Sequence, residues 1–408
     1  MTGLMLRRVV IASLLALTLV GAIGVLGVVA QGPEPRARWG YLAATLSFLL
    51  SAAQLAPAVA LASRLGRGFW GAPLRRMADL LALTGLVSAP LTILLLMQLP
   101  DWLGRPSIWS DWPGAPRVWD VVAAIGLALT GLALAWLTTL PDRHPRGFVG
   151  GMRQWQVVTS GLVVLGAFYT MLAVFVHLLL ASDLVLSLVP GWHSAVMPAY
   201  HVVSGFEAAV ALVFLAALVA PRPRLRPATI AATAKLLLAL ALLWFYLQWC
   251  ELLTDWYGRT PDEQGVLALF MFGPGGGLFA VAVVCEFLAP VLMLIWERAR
   301  TSAAMTALVA IFVLMGSYVD RIRLYVGAWS VATQRPEEHL PDTLAALPVP
   351  TLPEVAACVG ALALVGLLML IAVSRVSPVA DWETRALDRL TRDRRLLRTR
   401  VSVVARPT

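Results

Sequence analysis

Residues 177–200 read HLLLASDLVLSLVPGWHSAVMPAY. One apolar run ends here, a short joint carries Asp183, Pro190, Gly191, Trp192 and His193, and a second apolar run opens toward Tyr200. Backbone amides in hydrocarbon must be satisfied within their own segment, so such runs are spanning helices and the polar joint sits at a membrane face.

Composition extends this to the whole chain. Of 408 residues 59% are hydrophobic and 13% charged, and the mean hydropathy is +0.80. A soluble chain of this length exposes far more charge, so the fold class is all-α, a polytopic membrane protein. Ten apolar stretches are long enough to span: 9–30, 41–63, 78–99, 118–140, 155–181, 195–220, 229–254, 276–296, 303–328 and 351–373. The first follows Arg7 and Arg8 but outlasts the roughly 7–15-residue core of a secretory signal, so it is expected to stay as a helix. Cys250, Cys285 and Cys358 all fall in apolar stretches and form no CxxC, which argues against a zinc site, an iron–sulfur cluster or a disulfide framework in this chain.

The net charge of +9 gathers in alternate connections. Arg64, Arg67, Arg75 and Arg76, then Arg143, Arg146 and Arg153, then Arg222, Arg224 and Arg226, then Arg298 and Arg300, and the tail after Arg375 share one side with Arg7 and Arg8. The positive-inside rule makes that side, and both termini, cytoplasmic. The joint at 183–193 is then on the outer face, with a belt of interfacial Trp residues that includes Trp102, Trp112, Trp119, Trp192, Trp256 and Trp329. The basic excess suits topology and anionic lipid, and no nucleic acid is expected. The outer loop LPDWLGRPSIWSDWPGAPRVWD, with Arg105 and Asp120, reads as an ordered lid, and the tail DWETRALDRLTRDRRLLRTR as a helix lying on lipid.

Ionisable residues inside a span cost at least ~2.5 kcal/mol each at the helix centre, so each needs a partner or a task. His177, Glu251, Asp320, Arg321 and Arg323 converge on the outer third, while His201 leads inward to Glu207 and Glu286 near mid-depth. Gln248, Glu251 and Asp255 share a side of their helix. These groups suit either a set of structural ion pairs or a pocket for a quinol, whose oxidation needs proton acceptors beside the ring and an apolar slot for the tail. His177 with Asp183 or Glu251 meets that need, and Glu207 and Glu286 extend a proton route. A haem clasped by His177 and His201 is a weaker alternative. Gln54, midway along the second stretch, suits an interhelical hydrogen bond.

SLVPGWHS, WCELLTDWYGRTPDE, FMFGPGG and SYVDRIRLYV together resemble the NrfD/PsrC-type membrane subunits of iron–sulfur oxidoreductases, most closely the quinol-interacting membrane subunit of alternative complex III. The resemblance covers roughly residues 45–330. It places the family's His six residues before Asp at His177 and Asp183, its Ser-Leu-Val-Pro-Gly-Trp-His run at Ser187–His193, and its Glu before a Trp-Tyr pair at Glu251, Trp256 and Tyr257. The acidic-Arg pair matches Asp320 and Arg321, Gly-Arg-Pro matches Gly104, Arg105 and Pro106, and Trp-Asp matches Trp119 and Asp120. Where the family has Gly-His-Ala-Gly, this chain has AAQLA with Gln54, and the His-Met before Gly-Arg-Pro is missing.

The resemblance implies two four-helix bundles (41–181 and 182–328), flanked by a first helix and loop (1–40), an outer loop and last helix (329–374) and a basic tail (375–408). It implies a non-covalent quinone or menaquinone, handled by His177, Asp183, Glu251 and Arg321, with Trp192, His193, Tyr257, Asp320, Arg105, Asp120 and Gln54 around it. His201, Glu207 and Glu286 form the proton route. Iron–sulfur clusters and haems are expected only in partners: an iron–sulfur subunit on the outer face of a bacterial inner membrane, beside other membrane subunits. Two alternatives stay open: a structural anchor or proton-conducting paralogue without its own quinone site, favoured by Gln54, and a proton-coupled permease, favoured by Glu207 and Glu286.

Overall fold

The computed structural model describes residues 2–32, 35–66, 69–99, 112–114, 117–143, 152–220, 225–331, 340, 344–380, 382–383, 391–396 and 399–404. Most of the proposed outer lid, including Arg105, lies outside the described residues. Among the described residues ten helices have the length and hydropathy to cross a membrane: α1 Met5–Ala30, α2 Ala37–Leu65, α3 Ala72–Leu96, α4 Arg117–Asp142, α5 Val157–Leu188, α6 Val196–Val219, α7 Pro227–Gly258, α8 Gly276–Leu294, α9 Ala303–Ser330 and α10 Leu352–Arg375. The chain is a multi-pass, all-α integral membrane protein, as its apolar stretches require.

Helices α2 to α5 pack in sequence, with α5 closing back on α2, and α6 to α9 do the same, with α9 closing back on α6. Both groups meet along α2, which lies against α9 and α6 and is almost wholly enclosed. Small residues allow this approach. A Cβ on Gly40 would come within 2.9 Å of the Val326 Cα, and one on Gly205 within 3.3 Å of the Ser51 Cα. Outside the two groups, α1 pairs with α10 at a crossing so tight that Gly21 and Gly360 nearly touch.

Wide π-turns interrupt two spans, at Leu50–Gln54 in α2 and Val283–Leu288 in α8, and a third, Ala268–Phe272, follows the short helix Pro261–Leu267. Each precedes a proline, at Pro57, Pro274 and Pro290, whose missing N–H and bulky ring disturb the regular ladder just upstream. In the first, Leu55 N bonds back to Leu50 O at 3.2 Å. The turns position Gln54, Phe270 and Glu286.

At the end of the molecule bearing Arg64, several arginines that read as topological signals are internal. Arg64 forks onto Asp79 at 3.1 and 2.6 Å and reaches Glu383 at 3.2 Å, while Arg75 lies 3.5 Å from the other Glu383 oxygen. Arg76 binds Asp142, the Thr138 carbonyl and the Val379 carbonyl. The segment after α10 is thereby drawn under the first bundle. Farther along, the helix expected on lipid gives way to two antiparallel paired strands, β1 Thr391–Leu396 and β2 Thr399–Val404. The β-branched alternation of TRVSVV outweighs the Arg-Leu spacing that had suggested a helix.

Candidate functional site

The joint quoted first is shaped by Gly191, whose φ of +70° suits a residue without Cβ. A side chain there would strike Asp262, so the joint is pressed against the short helix Pro261–Leu267. That helix begins where Arg259 turns α7 off in the left-handed region, and a reciprocal cap starts it: Thr260 Oγ1 accepts from Glu263 N at 3.3 Å and Glu263 Oε2 from Thr260 N at 3.0 Å. The chain then runs back through the second π-turn and the Gly273–Gly277 turn into α8.

These elements border a narrow, partly open cleft lined by Trp192 from the joint, Met197 and Tyr200 from α6, Gln248, Glu251 and Asp255 from α7, Val266, Phe270 and Met271, and Arg323 and Leu324 from α9. The Trp192 and Phe270 rings lie 4.8 Å apart. Gly327 makes room for Phe270, since a Cβ there would come within 2.6 Å of its ring.

Polar groups are fixed along the cleft. Glu251 accepts from Ser194 Oγ at 2.6 Å and from Trp192 Nε1 at 3.3 Å, and Ser194 in turn caps α6 by accepting from Met197 N at 2.9 Å. Arg323 donates to Asp320 Oδ1 from Nη2 at 2.7 Å and Nε at 3.0 Å, and to the Phe270 carbonyl at 3.3 Å. Tyr200 donates to the other Asp320 oxygen at 2.7 Å. The Arg323 guanidinium also lies 5.1 Å over the Phe279 ring. Asp320 is thus saturated, as a buried carboxylate must be.

The remaining expected residues divide into three sets. His177, Asp183, His201 and Arg321 are fully buried and are absent from the cleft lining. Arg321 donates to Ser51, Ser204 and the His201 carbonyl, and His201 Nε2 lies 2.9 Å from both Ser47 Oγ and Tyr325 OH. His177 Nδ1 meets the Ala173 carbonyl at 2.8 Å, while Nε2 has no hydrogen-bond partner among the described residues. The His177 and His201 rings touch edge to face at 5.4 Å, leaving no room for a porphyrin between them, so the haem alternative is not supported by the geometry. Deeper, Glu207 and Glu286 are fully enclosed and none of their oxygens is hydrogen-bonded among the described residues. Glu286 lies within electrostatic reach of Glu207, Asp320, Arg321 and Arg323.

Gln54 is elsewhere, donating to Ser88 on α3, while its own carbonyl accepts from Tyr169 at 2.9 Å. Asp120 is buried at the head of α4, and His193 and Tyr257 are exposed beside the cleft. Sequence reasoning underrated Tyr200, Gln248, Asp255 and Arg323. The spacing of Gln248, Glu251 and Asp255 along α7 was the available signal, whereas nothing local distinguished Tyr200 from other membrane tyrosines.

No group of three or more metal-ligating side chains is present among the described residues. No curated protein matches the chain. The family model for NrfD, polysulphide reductase, matches residues 29–332, which takes in both bundles, α2 to α9, and leaves out most of α1, α10 and the tail. Spanning about three quarters of the sequence, that match places the chain in the NrfD family, membrane subunits of quinone-interacting oxidoreductase complexes that associate with iron–sulfur subunits.

Proposed function

We propose that the cleft between α6, α7 and α9 receives the ring of a membrane quinol, menaquinol included, and that this chain handles its protons while an iron–sulfur partner takes the electrons. The observation that carries this is the cleft's mixed wall. Apolar groups (Trp192, Met197, Val266, Phe270, Met271, Leu324) form a slot for a flat ring, and Tyr200, Gln248, Glu251 and Arg323 supply a few convergent polar contacts. Glu251, steadied by Ser194 and Trp192, is the group positioned to accept a ring proton. Arg323, held rigid by Asp320, orients the ring oxygens with its charge. His177, Asp183 and Arg321 sit behind this wall and set its polarity, and His201, Glu207 and Glu286 continue inward as a proton route.

By the distribution of arginine, the cleft opens toward the outer face of a bacterial inner membrane, both termini are cytoplasmic, and the iron–sulfur subunit docks at the end bearing His193, Tyr257 and Asp120. The motifs gathered at this end support a quinol-interacting membrane subunit of the alternative complex III type within the family. A second function, proton conduction without quinone, draws support from the unbonded carboxyls of Glu207 and Glu286.

In the purified complex a bound quinone should be displaced by a quinone-site inhibitor, and Glu251→Gln should cut quinol-dependent turnover about 100-fold, the usual scale for losing a general base, with assembly intact. Undiminished turnover in that variant, or a complex without affinity for quinone, would overturn the assignment.

A further inference from the structure

Asp255 sits four residues beyond Glu251 on α7, so both carboxyls project from one face a single turn apart. It lines the cleft and is only 5% exposed, yet its Oδ2 has no hydrogen-bond partner among the described residues. A buried carboxyl oxygen facing a cleft without a donor is costly unless something transient occupies it. Beyond it stands Glu263, within electrostatic reach of Asp255 and held by the cap on Thr260. Gln264 Nε2 donates to the Asp255 backbone carbonyl at 3.0 Å, which ties this turn of α7 to the short helix that carries Glu263. Glu251, Asp255 and Glu263 thus form a ladder from the buried cleft to the solvent-facing end of α7.

We propose that Asp255 is the proton exit of the cleft, relaying to the outer aqueous face what Glu251 removes from quinol. The proposal rests on the quinol assignment above. Glu251 takes a proton from a ring hydroxyl, Asp255 receives it at the free Oδ2, and Glu263 or water takes it on. Both protons of each quinol leave in succession by this ladder, the two electrons pass one at a time to the partner's iron–sulfur clusters, and the inward route through Glu207 and Glu286 carries neither quinol proton. The charged and titratable groups around Asp255 are Glu251 on its own helix, Glu263 on the short helix, and Arg323 and Tyr200 across the cleft. The route runs outward, so it is independent of Glu207 and Glu286.

The test uses the intact complex in proteoliposomes with a short-chain quinol as donor. Asp255→Asn should leave quinone affinity within twofold of the parent while turnover falls at least tenfold. Asp255→Glu should restore most of it, and a small weak acid such as azide should partly rescue the Asn variant when added on the outer side. Turnover unchanged in Asp255→Asn overturns the proposal. So does a parallel loss of quinone affinity in both variants, which marks a purely structural residue. If the parent complex binds no quinone, the quinol assignment itself falls and the exit with it, a result distinct from a failure of Asp255 alone.

Discussion

Arg323 holds two oxygen partners and one aromatic face, and through Asp320 it is joined to Tyr200 on another helix. Two charges this deep are tolerable only because each is almost fully satisfied, and removing one leaves the other buried and uncompensated. Arg323→Leu should therefore cost about 3–5 kcal/mol of stability, a typical price for breaking a buried pair, seen as a lower unfolding temperature in detergent. Asp183→Asn poses a different question, because Asp183 is fully buried and does not line the cleft. That variant should assemble normally and show depressed quinol-dependent turnover, and full activity would place Asp183 outside the mechanism. The histidines illustrate how a residue list misleads: His177 and His201 looked like a pair able to grip something between them, and the folded chain brings them into contact with each other.

At the level of elements, the cleft depends on departures from regular helix. The π-turn Ala268–Phe272 and the glycine turn after it bring Phe270 under Trp192 and turn its carbonyl to Arg323. Gly327 on α9 is the complementary feature, since any Cβ there displaces the Phe270 ring. Gly327→Ala should raise the KM for quinol several-fold with a smaller change in kcat, measured by steady-state kinetics across quinol concentrations. An unaltered KM would show that the Phe270 ring does not border the substrate. The spans themselves were legible, because about 20 apolar residues in hydrocarbon have one solution. The π-turns were not, because a proline marks where a helix is disturbed but packing against its neighbours decides whether it widens, kinks or ends there. In the tail, Arg-Leu spacing predicts a helix and two antiparallel strands form, since a short stretch holds too few repeats for its periodicity to decide.

For the molecule as a whole, α2 is the shared wall of two bundles, and the α1–α10 pair stands outside them. The pair is held by backbone contact at Gly21 and Gly360, where a larger side chain has no space. Gly360→Val should separate α1 from α10 at about 1–3 kcal/mol, as overpacking usually costs, and thermal unfolding should shift down while the bundle core keeps its quinone affinity. At the opposite end from the cleft, Arg64, Asp79, Arg75 and Glu383 fasten the segment after α10 beneath the first bundle. The arginines counted there as topological signals are also structural, which the charge distribution alone does not reveal.

Hydropathy and charge placement by themselves determined that this is a ten-span helical membrane protein, because lipid leaves a backbone almost no other choice. Short motifs on either side of the joint at 183–193 were enough to point to the family. Which buried charges meet each other, and which face a cavity, depended on contacts between residues more than a hundred positions apart, such as Tyr200 with Asp320 and Ser47 with His201. Only the tertiary structure decided those, because helix packing sets the rotation of each span and rotation alone assigns a side chain to cleft, wall or lipid.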